Sequence, residues 1–197
     1  MKRTASVDRK TRETRVRIEL NLDGQGRFSA RLQTGFLSHM LELLALHSSM
    51  DLRVQGDGDL QVDGHHLIED VGIVLGQALK QALGEKRGIR RYGWTLLPMD
   101  EVLVAVALDL GGRFAFHTDY RPAREKVGDL ATEMAPHFFR SLAVEVGANL
   151  HIQFLNPGEN EHHRIEAMFK GFGRALRTAV SLDPAAGGKI PSTKGSL

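Results

Sequence analysis

The sequence contains no cysteine, no long apolar run and little net charge. Without cysteine there can be no disulfide, thiolate metal site or cysteine nucleophile, which fits a reducing compartment. No run reaches the roughly 18 apolar residues of a membrane-spanning helix, and the basic N-terminus lacks the apolar segment of a secretory signal. A formal net charge of +2 gives little support for binding a polyanion. We therefore expect a cytoplasmic protein with no nucleic-acid partner and no membrane partner.

What the sequence has instead is a repeated set of histidines and glutamates. Each set contains a lone histidine in an apolar segment, then an adjacent histidine pair, then a glutamate three residues after the pair. The members are His39, His65, His66 and Glu69 in the first set, and His137, His162, His163 and Glu166 in the second. Glycines, alanines and strand-like openings recur with them, so we expect one supersecondary unit used twice about a pseudo-twofold axis.

Periodicity along the chain predicts the elements of this unit. Apolar residues that alternate from Val16 to Leu22 predict a half-buried strand. Helical patterns are present near 36–49, 65–83, 130–146 and 162–181, and further strand patterns near 27–33, 51–55, 102–109, 113–118 and 150–154. We expect an α+β protein of two duplicated halves, each a mostly antiparallel four-stranded sheet covered by two helices.

The predicted halves span residues 1–92 and 93–182. The polar residues 1–12 are expected to form an exposed arm. Residues 183–197 have no helical pattern, and we expect a tail that is either disordered or ordered by ligand.

Neutral imidazole and carboxylate are ligands of divalent transition metals, so the repeat predicts two metal sites. On a helix, His66 and Glu69 are three residues apart and share a face, whereas His65 points roughly 100° away. One histidine pair can therefore serve two ions. Each ion would take a lone histidine, one histidine of a pair, a glutamate and one histidine from the opposite half, which leaves positions open for substrate.

Possible oxyanion ligands are more weakly indicated. Arg91, Arg113, Lys170 and the segment Pro191–Gly195 could contact a phosphate. Equally, Lys170 could form an ion pair with Glu166 four residues earlier, and the tail could be solvated. By its spacing alone, Glu13 is a surface charge.

Several stretches, in order, resemble imidazoleglycerol-phosphate dehydratase over roughly residues 5–197. They are Gly35–Leu41, His65–Asp70, Pro98–Glu101, His162–Ala167 with Phe169–Lys170, and Pro191–Gly195. The resemblance implies the removal of water from imidazole glycerol phosphate to give imidazole acetol phosphate, in histidine biosynthesis. It also implies two Mn²⁺ ions per active site and a 24-subunit shell with active sites between subunits.

The resemblance also implies roles for single residues. One ion would be held by His39, His66, Glu69 and His162, and the other by His65, His137, His163 and Glu166. Except for His137, these ligands also belong to the substrate site. The remaining substrate-binding positions are Glu13, His47, Arg91, Arg113, Lys170, Ser192, Thr193 and Lys194, with the arginines, the lysines and Ser192 near the phosphate. The resemblance favours a tail ordered by substrate.

The implied mechanism begins with a substrate imidazole bound between the two ions as imidazolate. Proton abstraction from the adjacent carbon would then expel the neighbouring hydroxyl. Glu13 is the candidate for this proton transfer, with a metal-bound water as the competitor. The rival functions are a metal-dependent assembly module, a di-metal hydrolase with ions within about 4 Å of each other, and, least supported, a nucleic-acid module.

Overall fold

The computed structural model describes residues 2–195, and its elements occur in the same order in two similar halves. The first half contains β1 (Thr4–Lys10), β2 (Thr14–Asn21), β3 (Phe28–Leu32), α1 (Gly35–Ser48), β4 (Asp51–Gly58) and α2 (His65–Leu83). The second contains β5 (Tyr92–Met99), β6 (Val102–Asp109), β7 (Ala115–Thr118), β8 (Lys126–Val127), β9 (Leu130–Ala131), α3 (Met134–Val146), β10 (Asn149–Asn156) and α4 (Glu161–Val180).

The two main sheets have equivalent topology. The first has the strand order β1-β2-β4-β3, and the second β5-β6-β10-β7. All neighbours are antiparallel except the last pair of each sheet, β3 with β4 and β7 with β10. In β2 the apolar Val16, Ile18 and Leu20 are buried while the residues between them are not, as their alternation predicts. The predicted α+β architecture of two duplicated halves is confirmed.

The helices join the halves. Helix α2 packs on β1 and β2 and also against α3, whereas α4 packs on β5 and β6 and against α1. Each helix–helix contact thus takes one helix from each half. The contacts are close at glycines: a Cβ on Gly76 would lie 2.6 Å from the Leu142 carbonyl oxygen, and one on Gly173 would lie 3.1 Å from that of Leu44. These crossings bring the starts of α2 and α4 next to helices of the opposite half.

The N-terminal residues differ from the expected exposed arm. Thr4–Lys10 form β1, which pairs antiparallel with β2 along its whole length. The charged residues that suggested an arm lie on an edge strand, where solvent is accessible on one side. Arg9, on this strand, makes a salt bridge to Asp70 of α2.

Two smaller differences occur in the second half. A short hairpin, β8–β9, precedes α3, so α3 begins at Met134 rather than near residue 130. The segment after α4 contains a 3-10 turn at Pro184–Ala186, and its backbone pairs with the connection between α2 and β5 at Gly88. The last two residues of the expected tail lie outside the described residues. Within residues 2–195, no helix is both long and apolar enough to cross a bilayer.

Candidate metal centre and active site

The first ligand cluster consists of His65 and Glu69 at the start of α2 with His137 from α3. Their ligand atoms all lie within 4.8 Å of one another, and His137 Nε2 is 3.0 Å from Glu69 Oε1. The rings of His65 and His137 have centroids 4.9 Å apart. The α2–α3 crossing therefore brings a lone histidine of the second half over the pair of the first half.

The second cluster is the pseudo-symmetric counterpart, formed by His162 and Glu166 of α4 with His39 of α1. His162 Nε2 lies 3.2 Å from Glu166 Oε2, and the ring of Phe36 packs edge-on against His162 at 5.1 Å. Each cluster offers two imidazole nitrogens and one carboxylate oxygen, a donor set suited to a divalent transition metal. Both clusters need helices from both halves.

This grouping differs from the one expected from sequence. Glu69 is grouped with His65, four residues earlier, rather than with His66, and Glu166 is grouped with His162. On an α-helix, residues four apart are offset by about 40° and residues three apart by about 60°, so the first histidine of each pair is the nearer neighbour of the glutamate. The glutamates thereby exchange places relative to the lone histidines: His39 lies with Glu166, and His137 with Glu69.

The second histidine of each pair is held by a carboxylate instead. His66 Nδ1 lies 3.1 Å from both Asp59 oxygens, and His163 Nδ1 lies 2.9 Å from Glu101 Oε2. Asp100, Glu101 and His163 form a third group whose ligand atoms lie within 4.8 Å of one another. A carboxylate on Nδ1 fixes the ring and its tautomer, the usual arrangement for a histidine that binds metal through Nε2.

These contacts change the acid–base properties of the groups. Hydrogen bonding to Asp59 raises the pKa of His66, with the nearby charge of Glu13 contributing. The pKa of His163 is raised by Glu101, while His163 and the backbone N–H of Asn160 lower the pKa of Glu101 to about 2. Asp59 and Glu101 therefore favour the protonated forms of His66 and His163.

Known proteins resemble this chain over nearly its whole length. Residues 33–176 match the family model for imidazoleglycerol-phosphate dehydratase. The chain is 53% identical to the imidazoleglycerol-phosphate dehydratase of Xanthobacter autotrophicus, over 99% of this chain and 98% of that protein. The chain belongs to the imidazoleglycerol-phosphate dehydratase family. It is therefore a hydro-lyase of histidine biosynthesis, a metal-dependent enzyme whose substrate is a phosphorylated imidazole.

Solved structures of the imidazoleglycerol-phosphate dehydratase family have the same fold. The enzyme from Staphylococcus aureus aligns with a TM-score of 0.81 and 36% identity, covering 91% of this chain and 99% of that one. The enzyme from Pyrococcus furiosus, solved in complex with (S)-C348, aligns with a TM-score of 0.82 and 34% identity, covering 97% of this chain and all of that one. The duplicated α+β fold is thus that of the dehydratase family.

Two expected substrate-binding residues lie beside the second cluster. Lys170 makes a salt bridge to Glu166, as its position four residues later in α4 allows. Burial works to raise the pKa of Glu166, but the hydrogen bond to Lys170 and the charges of Lys170, His162 and His39 together outweigh it, so that the carboxyl pKa is lowered. Burial lowers the pKa of His47, and the charges of Lys170 and Arg174 lower it further. Lys170 therefore contacts the second cluster directly, and its charge acts on His47.

Arg91 and the tail form a separate group. The guanidinium of Arg91 is bound by Asp109 through Nε at 2.7 Å and Nη2 at 3.0 Å, and Nη1 donates to the Pro191 carbonyl at 3.0 Å. Ser192 follows directly, and its hydroxyl oxygen accepts from the backbone N–H of Lys194 at 3.1 Å. Arg91 thus holds the start of the tail segment that contains Ser192, Thr193 and Lys194.

The other two expected residues are at the surface. Glu13 is exposed in the turn between β1 and β2, and Arg113 is exposed just before β7. The carboxylates of Asp59 and Glu101 were absent from the predicted site. Glu101 is in a stretch that carries the family resemblance, but nothing in its spacing from His163 indicates contact, because the two lie on different elements.

Proposed function

We propose that this chain converts D-erythro-imidazole-glycerol phosphate to imidazole acetol phosphate and that its active site contains two Mn²⁺ ions. The observation that carries the proposal is the pair of pseudo-symmetric clusters, each with two imidazoles and a carboxylate within 4.8 Å. The choice of manganese comes from the family resemblance, since this donor set also suits iron, nickel and zinc. Two bound cations would favour the imidazolate form of the substrate ring and make the ring an electron sink.

Glu13 is the group that we assign to proton transfer. It would transfer the proton of the second glycerol carbon to the hydroxyl on the carbon attached to the imidazole ring, so that this hydroxyl leaves as water. The resulting enol then rearranges to the ketone. The other glutamates of the site have partners: Glu69 contacts His137, Glu166 contacts Lys170, and Glu101 contacts His163. Among residues 2–195, no hydrogen bond or salt bridge engages the Glu13 side chain, which leaves it available as a general base.

Cationic and hydroxyl groups are proposed to bind the phosphate. Lys170 is close to the second cluster through Glu166, and Arg91 holds the segment that begins at Pro191. Arginine and lysine are the usual partners of phosphate oxygens, and hydroxyls such as those of Ser192 and Thr193 add donors. With Arg113, these groups would anchor the charged end of the substrate away from the reacting carbons.

We further propose that the active sites are completed between subunits, in a 24-subunit shell. Each cluster has three ligands from one chain, whereas His66 and His163 belong to neither of the two and are oriented by Asp59 and Glu101. These two histidines could each supply a fourth ligand to another subunit. The outer face of the second sheet also exposes Trp94, which is 71% accessible, and Leu96 of β5, as a contact surface requires.

The decisive experiment measures turnover of imidazole glycerol phosphate by protein stripped with a chelator and then resupplied with Mn²⁺. Light scattering and metal analysis are run on the same samples. We expect turnover to vanish with metal loss and to return with about two ions per chain, because both clusters have to be filled. A protein that binds metal and assembles but shows no turnover would instead support the assembly-module rival.

A di-metal hydrolase is the other rival. Such an enzyme holds its two ions within about 4 Å so that they share a water. In this chain the two clusters are on different helix pairs, α2–α3 and α1–α4, which argues against a shared water within one subunit. Release of inorganic phosphate from imidazole glycerol phosphate, in place of dehydration, would favour the hydrolase.

A further inference from the structure

We propose that Asp70 is a positioning residue for the dehydration, fixing through Thr14 and Thr11 the turn that carries Glu13. Asp70 follows Glu69 on α2 but is not one of the cluster's grouped ligands. It is buried, with 6% of its surface exposed, and its carboxylate accepts from the Thr14 hydroxyl and from Arg9 Nη1 at 2.5 Å. This inference rests on the proposed role of Glu13.

The partners of Asp70 come from the two strands that flank the turn. Arg9 is near the end of β1, and Thr14 is the first residue of β2. A buried carboxylate is stable only when it is hydrogen-bonded or paired. The α2 carboxylate therefore ties both strands to the helix that carries His65, His66 and Glu69.

From Thr14 the contacts continue to Glu13. The hydroxyls of Thr14 and Thr11 are 3.2 Å apart, and the Thr11 oxygen accepts from the backbone N–H groups of Glu13 at 3.1 Å and Thr14 at 2.9 Å. The other acceptor for the Thr11 proton, the Thr14 carbonyl, is farther at 3.4 Å.

The direction of this hydrogen-bond chain is fixed by its ends. A backbone N–H can only donate and an ionised carboxylate can only accept. Protons are thus donated from Glu13 N to Thr11, from Thr11 to Thr14, and from Thr14 to Asp70. Hydrogen bonds arranged head to tail polarise and strengthen one another.

The arrangement holds the Glu13 backbone while leaving the side chain free. The equivalent turn of the second half, just before β6, is held in the opposite way: the Glu101 carboxylate itself accepts from Asn160 N at 3.0 Å and contacts His163. The residue equivalent to Asp70 there is Ala167, which has no carboxylate. A turn whose glutamate has to react needs a separate anchor, and Asp70 provides one.

The test uses threonine variants, because Asp70→Asn removes an ion pair from the interior and can unfold the chain. Thr14→Val and Thr11→Val each interrupt the hydrogen-bond chain, whereas Thr14→Ser keeps the hydroxyl. We expect each valine variant to lower kcat by about ten- to a hundredfold, with KM and manganese content near wild type, because small misplacements of a reacting group have effects of this size. Thr14→Ser should restore turnover.

Two controls separate positioning from general damage. Thr118→Val removes a hydroxyl that accepts one backbone N–H, from Tyr120 at 3.1 Å, at a distant turn, and should leave kcat within about twofold. In a double-mutant cycle, Thr14→Val added to Glu13→Gln should change kcat by less than about twofold, because the chain acts only through Glu13.

Each result bears on a different claim. Full activity of Thr14→Val, or a loss that multiplies with that of Glu13→Gln, would overturn the positioning role while the dehydratase assignment remains. Loss of manganese in Thr14→Val would mean that Asp70 supports the ligands instead. Wild-type protein without turnover would overturn the proposed function, and this inference with it.

Discussion

The turns before β2 and β6 occupy equivalent places in the two halves, and each has a glutamate as its last residue. Glu101 is engaged by His163 and by backbone N–H groups, so that its pKa is lowered to about 2. Glu13 is exposed, and its turn is anchored through Thr11 and Asp70. Duplication of one unit has thus preserved the histidine and glutamate pattern, whereas the two turn glutamates differ. Glu101 contacts a histidine, and Glu13, which we propose for proton transfer, is exposed.

The two clusters themselves are nearly equivalent, and removing either one should have the largest effect. Glu69→Gln and Glu166→Gln each remove the only carboxylate of a cluster. We expect turnover to fall by more than about 10³-fold, because a bound metal lowers the activation barrier by several kcal/mol. Metal analysis should show about one ion lost per chain in each variant.

Glu85→Gln, at an exposed glutamate after α2 that pairs with Arg87 outside the clusters, serves as the control for these variants. If one cluster variant kept wild-type turnover, the two clusters would not serve one reaction. Their equivalence in sequence and geometry would then not extend to function.

The second prediction separates the two turn glutamates. Glu13→Gln should lower kcat by about 10²-fold or more with metal content unchanged, the usual effect of losing a general base. Glu101→Gln should instead weaken Mn²⁺ binding by about tenfold, because it releases the ring of His163, and its turnover should recover at high Mn²⁺. Steady-state kinetics across a manganese titration measures both. If the turnover of Glu13→Gln also recovered at high Mn²⁺, Glu13 would act in metal binding, as we expect for Glu101.

The helix crossings allow a comparison of stability. A Cβ at Gly76 would meet the Leu142 carbonyl at 2.6 Å and Glu145 Cβ at 2.7 Å, whereas the nearest atom at Gly173 is His47 Cβ at 3.0 Å. Overpacking costs about 1–3 kcal/mol, and the helix preference of alanine over glycine offsets about 1 kcal/mol. We expect Gly76→Ala to lower the free energy of unfolding by about 2 kcal/mol, and Gly173→Ala by less than 1 kcal/mol.

Denaturant unfolding at one fixed protein concentration tests this difference, because assembly makes stability concentration-dependent. Equal losses in the two alanine variants would mean that α1–α4 is packed as tightly as α2–α3.

The smallest expected effect concerns His47, whose equivalent in α3 is Glu145. Burial lowers the pKa of His47, so the unfolded chain binds its proton more tightly. His47 therefore contributes stability above pH 6.5 that is lost as pH falls below 6.5 toward the lowered pKa. His47→Gln should be relatively more stable than wild type at the acidic end of this window.

The difference in unfolding free energy between wild type and His47→Gln, followed against pH, isolates this contribution from those of His66 and His163. The exposed His151→Gln is the matched control. A difference in unfolding free energy that does not change with pH for His47→Gln would show that the pKa of His47 is not lowered in the folded chain.

Much of the fold was predictable because its evidence is local. The α2 bounds, His65–Leu83, agree with the predicted helix, and β6 agrees with its predicted range of 102–109. The strand β1 was not predicted, because a charged edge strand and a solvated arm have the same composition. The anchoring of the turn by Asp70 was not predicted either. Asp70 is about sixty residues from Arg9 and Thr14 in sequence, and only the packing of α2 on β1 and β2 brings them together.

By itself, the sequence determined the duplication, the candidate ligands and the family, because repeats, residue types and motif order are properties of the chain alone. The tertiary structure decided which ligands meet. The α1–α4 and α2–α3 crossings set His39 beside Glu166 and His137 beside Glu69, and helix rotation selected the first histidine of each pair. Distances between side chains far apart in sequence depend on how helices pack, and that packing is set by many contacts at once rather than by any one motif.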